Sequence, residues 1–534
     1  MANAYYDYNN GLAGNDGLTP STPKATRSQA VAVAGAGDKV IALDGTHVHE
    51  SGHFVFDDDR IESGNTYRGA TLNPAAGETV YCARTSATLA EANNPFRIEA
   101  LVFDGLDQVT YGLRLAEQSA AESVITQLHN IEINNCTVYN LLISEQGGRQ
   151  EIVNLKLGGL LTSRAIGATG NLSAKANQVI DIQGCELALD EVTGSKKAIE
   201  LSQVGTPTNT LDLYFKGLTG TISIAASASM TLLDVSTKDD CTVTGFDLVF
   251  NADDATTNVS GIIMTGNAST YELPNGLITN CKIKFNAPAG FAIAFGNSTT
   301  DSHITGGLVA SNHVTGKHYA SNTPHNYVMG QGTAGELKGN ASQDGYVGYL
   351  LSITDTCDAS ANIAFDCYGP SYYAKGTTAA TIKDNIAICS GKFTQRDRGI
   401  LAVAPQGATN TTAVTFQENL IIVANISKIH SLAYIEDVNQ VCTFTRNTYI
   451  IPDTVDVTTE NLFSYENGVG GAANNTLDQW NAQTEVTDDV IVQMPAAEIA
   501  AIVKQYKESI SPTPKLMLMP SGAVESTIGG KVLV

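Results

Sequence analysis

The chain has 534 residues, of which 43% are hydrophobic and only 16% charged, and its 31 Lys and Arg against 54 Asp and Glu leave a formal charge of −23. A surface this acidic has no general means of neutralising a phosphate backbone, so nucleic acid is excluded as a partner class, and the acidity reads as solubility and colloidal stability. No run of about 18 apolar residues occurs, so no membrane insertion is expected.

The 49 glycines, with Ser, Thr, Asn and Asp crowding the stretches between short apolar runs, predict many short strands and many turns: an all-β fold. Nine cysteines (82, 136, 185, 241, 281, 357, 367, 389 and 442) form an odd set without a close CxxC pair. Buried free thiols are expected, not a zinc site or a disulfide framework. Met1 to Asp7 contain no basic patch leading into an apolar stretch, so the sequence predicts no signal peptide.

In chain order, the first landmarks are Tyr5-Tyr6, Gly14-Asn15-Asp16-Gly17, Thr19-Pro20, Pro23, a short helix from Arg27 to Ala34, then Gly35 to Ile41 and Gly45-Thr46. This succession resembles the entry segment of pectate-lyase-like right-handed parallel β-helix proteins, a family that includes secreted polysaccharide lyases and bacteriophage tailspikes. The resemblance covers about 45 residues and departs from the family at Lys24-Ala25-Thr26, where an apolar residue is usual. It implies a solenoid whose first rung is covered by a short helix, which shields both an apolar cross-section and an unpaired strand edge.

A repeat follows: an apolar residue, two others, then Cys or Asn. It occurs as Ile133-x-x-Cys136, Ile182-x-x-Cys185, Ile278-x-x-Cys281, Leu337-x-x-Asn340, Ala359-x-x-Asn362, Ile382-x-x-Asn385, Phe416-x-x-Asn419 and Phe444-x-x-Asn447. Successive steps of 22 and 23 residues from Leu337 to Ala359 to Ile382 match three short strands and three turns, one rung of a solenoid. Rungs stack about 4.8 Å apart, so like residues meet like. An Asn at a repeated corner can then pass side-chain hydrogen bonds along the stack, and Cys fills the same inward corner in earlier rungs. The fold class is therefore a right-handed single-stranded parallel β-helix with short helical caps: an entry segment and cap helix over 1–50, the β-helix over 51–475, and a C-terminal cap helix and tail over 476–534. In that last part Thr476 to Trp480 with Asp488-Asp489 resembles a closing segment anchored by the only Trp, and Met494-Pro495 starts a helix with Ile499, Ile502, Val503 and Tyr506 on one face, taken as the lower cap. The apolar tail after Ser511 suits burial against a neighbouring subunit.

Acidic groups at Asp57-Asp58-Asp59, Asp239-Asp240, Asp253-Asp254 and Glu436-Asp437 read as solvated turns, since none has the spacing of a metal loop. Gly330-Gln331-Gly332 lacks the strand-turn-helix setting of a nucleotide motif. Neither a metal nor a cofactor is predicted. A denser region begins at His313, Lys317, His318, Tyr319 and His325 and runs through Tyr349 and Lys375. Within it the 22-residue step predicts that Asp344 and Asp366, with Asp397 and Glu436, share one face as candidate catalytic carboxylates. Tyr346, Tyr368, Tyr372 and Tyr373 with Arg396 form the candidate glycan-binding stripe; the bland reading makes the tyrosines ordinary strand residues.

The functional expectation is a virion tailspike- or fibre-like homotrimer, made in the host cytoplasm, that recognises a bacterial surface polysaccharide, contacts other virion proteins and in an enzymatic version depolymerises that glycan. Two alternatives stand beside it: a monomeric secreted β-helix lyase or glycoside hydrolase, and a non-enzymatic structural spike or decoration protein.

Overall fold

The computed structural model describes residues 2–510, 526–528 and 531–533, apart from 57–59, 86–95, 116–124, 145–146, 160–163, 169–171, 174–175, 204–207, 238, 257, 267–272, 274, 297–303, 320–322, 396–397, 408, 437–438, 467–471 and 484. The described chain winds as a right-handed parallel β-helix of three long sheets with 17, 16 and 16 strands. One rung runs Ala334–Lys338 in the first sheet, Ala341–Gln343 in the second and Val347–Ser352 in the third. The next rung repeats this as Thr356–Ser360, Ile363–Phe365 and Tyr372–Lys375. Leu337 pairs with Ala359 and Ala359 with Ile382, as the sequence steps predict. Between 178 and 265 the rungs continue on strands of up to eight residues. Because each strand is followed by its parallel neighbour one full turn later, until Ala472–Asn475 closes the third sheet antiparallel to Phe463–Glu466, each position heads a column of chemically similar side chains. The inward column of the third sheet runs Leu113, Leu141, Ile166, Ile199, Leu233, Ile262, Ile293, Tyr327, Tyr349, Tyr372, Leu401, Ala433 and Phe463.

The corner between the first and second sheets is built the same way in rung after rung. One residue takes a left-handed conformation, from Ala100 and Asn130 through Gly184, Asn280, Gly339 and Asp384 to Arg446 and Asp488. Such a residue bends the chain in a single step, and the residue after it points inward. That inward residue is apolar in the earlier rungs (Ile131, Leu155, Cys185, Leu218, Phe246, Cys281) and polar in the later ones, Asn312, Asn340, Asn362, Asn385, Asn419, Asn447 and Asp489, all buried. Cys136 does not belong here. It follows Glu132–Asn134 of the second sheet, so Ile133-x-x-Cys136 marks a different turn from the other seven motifs.

The asparagines form an unbroken ladder. Asn362 Oδ1 accepts from the backbone N and the Nδ2 of Asn340, both at 3.0 Å, while its own Nδ2 donates to Leu337 O at 2.8 Å and Asn385 Oδ1 at 3.0 Å. The pattern runs from Asn312 to Asn447, so each buried amide is fully partnered. The last position is Asp489, where no further rung waits for a donor. Its Oδ1 accepts from Asn447 N and Nδ2, and its Oδ2 from Tyr449 OH and Trp480 Nε1. Burial raises the Asp489 carboxyl above the ordinary aspartate range.

Both ends are closed. At the start, Asn3–Tyr6 adds a parallel strand beside Lys39–Ala42, and the helix Arg27–Val31, capped by Thr26, buries Ala30 and pairs Arg27 with Glu62. This helix stops three residues short of the predicted Ala34. At the other end the helix Leu477–Asn481 lays Trp480 flat on Phe463, with ring centroids 4.9 Å apart, and edge-on to Phe444. The later helix, Ala496–Ser509, lies along the outer face of the second sheet, where Ile499, Ile502 and Val503 cover Phe365, Ile388, Ile422 and Ile450. These outward apolar residues need a cover that a polar strand face would not. All nine cysteines are buried and free. The segments Ser526–Ile528 and Lys531–Leu533 pair antiparallel with each other.

Replacing Asn385 by leucine orphans the N–H groups of Asn362 and removes a donor from Asn419, so the unfolding midpoint should fall by the equivalent of about 1–3 kcal/mol. Asp489→Asn, nearly isosteric, should also destabilise by about 1–3 kcal/mol, because an amide presents N–H to the Trp480 indole N–H. Denaturant titration checks both; an unchanged midpoint in either variant removes the ladder from the stability account.

Candidate functional site

The turn between the second and third sheets carries the predicted carboxylates. Asp344 and Asp366 each sit just past a second-sheet strand in the left-handed conformation, with φ of 55° and 53°, a geometry that Asp tolerates through local hydrogen bonds. The backbone N of Asp344 donates to Phe365 O and that of Asp366 to Ile388 O, so the two carboxylates occupy adjacent rungs. They are nearly buried, at 9% and 4% exposure. Asp344 Oδ2 accepts from Lys392 Nζ at 2.8 Å, while its Oδ1 is buried without a partner among the described residues. Both oxygens of Asp366 are taken by Ser390, through its backbone N and its hydroxyl, each at 2.7 Å. Burial, followed by the charge of Asp344 against the opposing Ser390 bonds, raises the Asp366 carboxyl above its ordinary value.

Aromatic side chains gather beside the pair. His318, exposed, stacks on Phe393 with centroids 4.6 Å apart and planes 7° from parallel, and meets Tyr368 edge-on at 4.4 Å. Tyr368 contacts Tyr346 at 5.5 Å, which in turn meets His325 at 6.2 Å. Lys392 Nζ lies 4.5 Å above the Phe393 ring, a cation–π contact. Burial and Lys392 lower the His318 imidazole below its usual range, and burial brings His325 down to about 4, so both rings are neutral at physiological pH. A small cleft bounded by Asp366, Gly391, Phe393, Gln395 and Lys428 adjoins the pair, with a volume of about 10 Å³, room for little more than one water. That is far below the size of a closed ligand site, so a bound ring would rest on the exposed His318 and Lys392 and the half-buried Phe393.

The other predicted positions part company. Tyr372 is a core residue, wholly buried and stacked on Tyr349 at 5.0 Å, with its hydroxyl donating to Asn362 O and Ile386 O. It belongs to the inward column and is removed from the glycan stripe. Tyr346, Tyr368 and Tyr373 keep only 6%, 1% and 5% exposure within an apolar cluster that includes Val328, Leu350 and Tyr434. They back the surface and do not form an exposed stripe. Glu436 ends the six-residue third-sheet strand Ser431–Glu436 and pairs with Arg398 at 3.0 Å. A strand of that length spans roughly 17–20 Å from the turn that starts it, so Glu436 is not part of the carboxylate pair. Arg396 and Asp397 lie outside the described residues. Ser390, Lys392 and Phe393 were not anticipated. The sequence signal for them is the long turn from Cys389 to Gly399, whose Ser-Gly-Lys-Phe run interrupts an otherwise short corner.

No protein-family model matches this chain, and no curated protein matches it.

Since the folded-state carboxyl of Asp366 is raised, its protonated form is favoured by folding, and the associated stability is lost as pH climbs above the ordinary aspartate value of 3.8. Asp366→Asn should therefore unfold at a higher temperature than the parent at pH 7, with the gap closing toward pH 3. Calorimetry at the two pH values checks this; a variant less stable at pH 7 contradicts it.

Proposed function

We propose that this chain is a spike- or fibre-type virion protein, of the pectate-lyase-like and tailspike kind, that recognises a bacterial surface polysaccharide. The observation that carries the reading is the turn where the exposed His318 and Lys392 flank the half-buried Phe393 above buried Tyr346 and Tyr368, beside stacked carboxylates. Flat aromatic surface takes up the apolar face of a pyranose, and Lys and Asp exchange hydrogen bonds with its hydroxyls. A rigid solenoid holds such groups at fixed spacing, which lowers the ordering cost of binding a repeating chain. Nine buried reduced thiols suit folding in a reducing cytoplasm. The apolar residues Leu516 to Met519 and Val532 to Val534 suit assembly into a homotrimer.

Recognition is favoured over cleavage because Asp366 spends both oxygens on Ser390 and Asp344 is held by Lys392. The general rung spacing of about 4.8 Å is nonetheless compatible with a retaining glycosidase pair, whose carboxyls stand about 5 Å apart. Hydrolysis, with Asp366 as the protonated acid, is thus a second reading.

Light scattering of the intact chain should give three times the chain mass, and a panel of purified bacterial surface polysaccharides should contain a ligand. Phe393→Ala and His318→Ala should each weaken that binding at least fivefold, His318→Ala without moving the unfolding midpoint. A monomer that binds no polysaccharide would overturn the proposal. A fall in polymer length that Asp366→Asn abolishes would decide for hydrolysis.

A further inference from the structure

The later rungs carry a cover on two of their three outer faces. The helix Ala496–Ser509 lies on the second sheet, and outward side chains of the third, among them Leu350, Tyr373 and Tyr434, are buried in an apolar cluster. The first sheet is different. Its strands Ala334–Lys338, Thr356–Ser360 and Ala379–Lys383 are parallel neighbours, and the chain from 323 to 395, with every turn that joins them, is described without a break. Leu337, Ala359 and Ile382 point inward and are buried. Outward, register sets two columns: Glu336, Asp358 and Thr381 in one, and Lys338, Ser360 and Lys383 in the other. All four charged members are exposed.

The signs are sorted by column. Both acids stand in the first and both bases in the second, and the two columns run on the order of 7 Å apart, since residues i and i+2 of a strand share a face. Among the described residues Glu336, Asp358 and Lys338 make no ion pair, and Lys383 meets the corner residue Asp384 at 3.9 Å. The columns continue through Leu308 and Ala310 on one side and Thr415 and Gln417 on the other, so the charges sit on a flat face of otherwise short, uncharged side chains. A chain carrying −23 repels a second copy over most of its surface. This patch has as many bases as acids, so the repulsion is least here. Rotation about an axis parallel to the stack keeps every rung at its height. It sets Glu336 of one copy level with Lys338 of the next, and Asp358 at a height between Lys338 and Lys383. Contacts of this kind, first column to second, close into a ring.

We propose that the outer first sheet around Glu336, Lys338, Asp358 and Lys383 is the surface on which a second copy of this chain packs. Three first sheets turn toward a common axis, the acidic column of each against the basic column of the next. The inference rests on the homotrimer of the reading above and assigns its contact to the solenoid itself, in addition to the tail after Ser511. The opposed charges fix register and partner, while the short side chains around them let the sheets approach.

The test is light scattering of the intact chain and three variants, with circular dichroism to confirm that each keeps its strands; every substituted position is exposed, so the core is untouched. The parent should give three chain masses. K338E/K383E, which makes both columns acidic, and E336K/D358K, which makes both basic, should each raise the concentration needed for assembly at least tenfold. E336K/K338E/D358K/K383E exchanges the columns, restores opposite signs and should again give three chain masses at the parent's concentration. If K338E/K383E and E336K/D358K assemble as the parent does, the proposal is overturned and the homotrimer stands. An exchanged chain that stays monomeric beside a trimeric parent overturns it in the same way. A monomeric parent overturns the proposal and the homotrimer together, and polysaccharide binding by that monomer would leave recognition at the His318 turn intact.

Discussion

Everything in this molecule depends on parallel strands stacking in register at one rung per turn, so that whatever chemistry one rung places inside is met by the same position of the next. Apolar columns satisfy that condition by contact alone. A polar column satisfies it only if each member both gives and takes hydrogen bonds along the stack, which the asparagine side chain does and few others can. The ladder from Asn312 to Asn447 therefore imposes a boundary condition at its end: the final residue must accept without donating. Asp489 meets it, and Tyr449 and the Trp480 indole supply the remaining donors. The closing helix is thus tied to the ladder by chemistry as well as by the stacking of Trp480 on Phe463.

The columnar rule also explains how surface sites arise. Side chains 22 residues apart, such as Asp344 and Asp366, become neighbours without any loop having to bring them together. Where a corner stays tight the column continues unchanged; where it lengthens, as between Cys389 and Gly399, the extra residues rise over the face and supply groups from outside the repeat. Lys392 and Phe393 arrive in this way. On the first sheet no such rise is needed, since Glu336 and Asp358, like Lys338 and Lys383, are placed in line by strand register itself.

Much of the fold was legible because the repeat is written directly in the sequence: the apolar-x-x-Asn corners, their 22- and 23-residue steps, the cap helix and the Trp480 closure all have local signals. Asn312 and Asp489 continue the same corner, after Val309 and Val486, but were not read as part of it, since the step lengths on either side vary with loop length. Site legibility was lower for a reason of parity. Successive strand residues point to opposite faces, so Tyr372 and Tyr373, adjacent in sequence, go to the core and to the outer face. Aromatic density alone does not reveal which is which. Glu436 illustrates the second difficulty: spacing predicts the rung but not the position along it, and a strand length separates Glu436 from the turn that holds Asp366. The helix Ala496–Ser509 was legible as a helix, yet its seat on the outer second sheet follows from Phe365, Ile388, Ile422 and Ile450, whose outward direction only the register fixes.

The most direct test of the ladder as one cooperative unit is native-state hydrogen exchange of the corner backbone amides. The account predicts that the N–H groups of Asn340, Asn362, Asn385 and Asn419, each donated to the next asparagine, exchange at one common and slowest rate, set by global unfolding. Exchange of these amides within minutes, or at rates that differ widely from rung to rung, would contradict it.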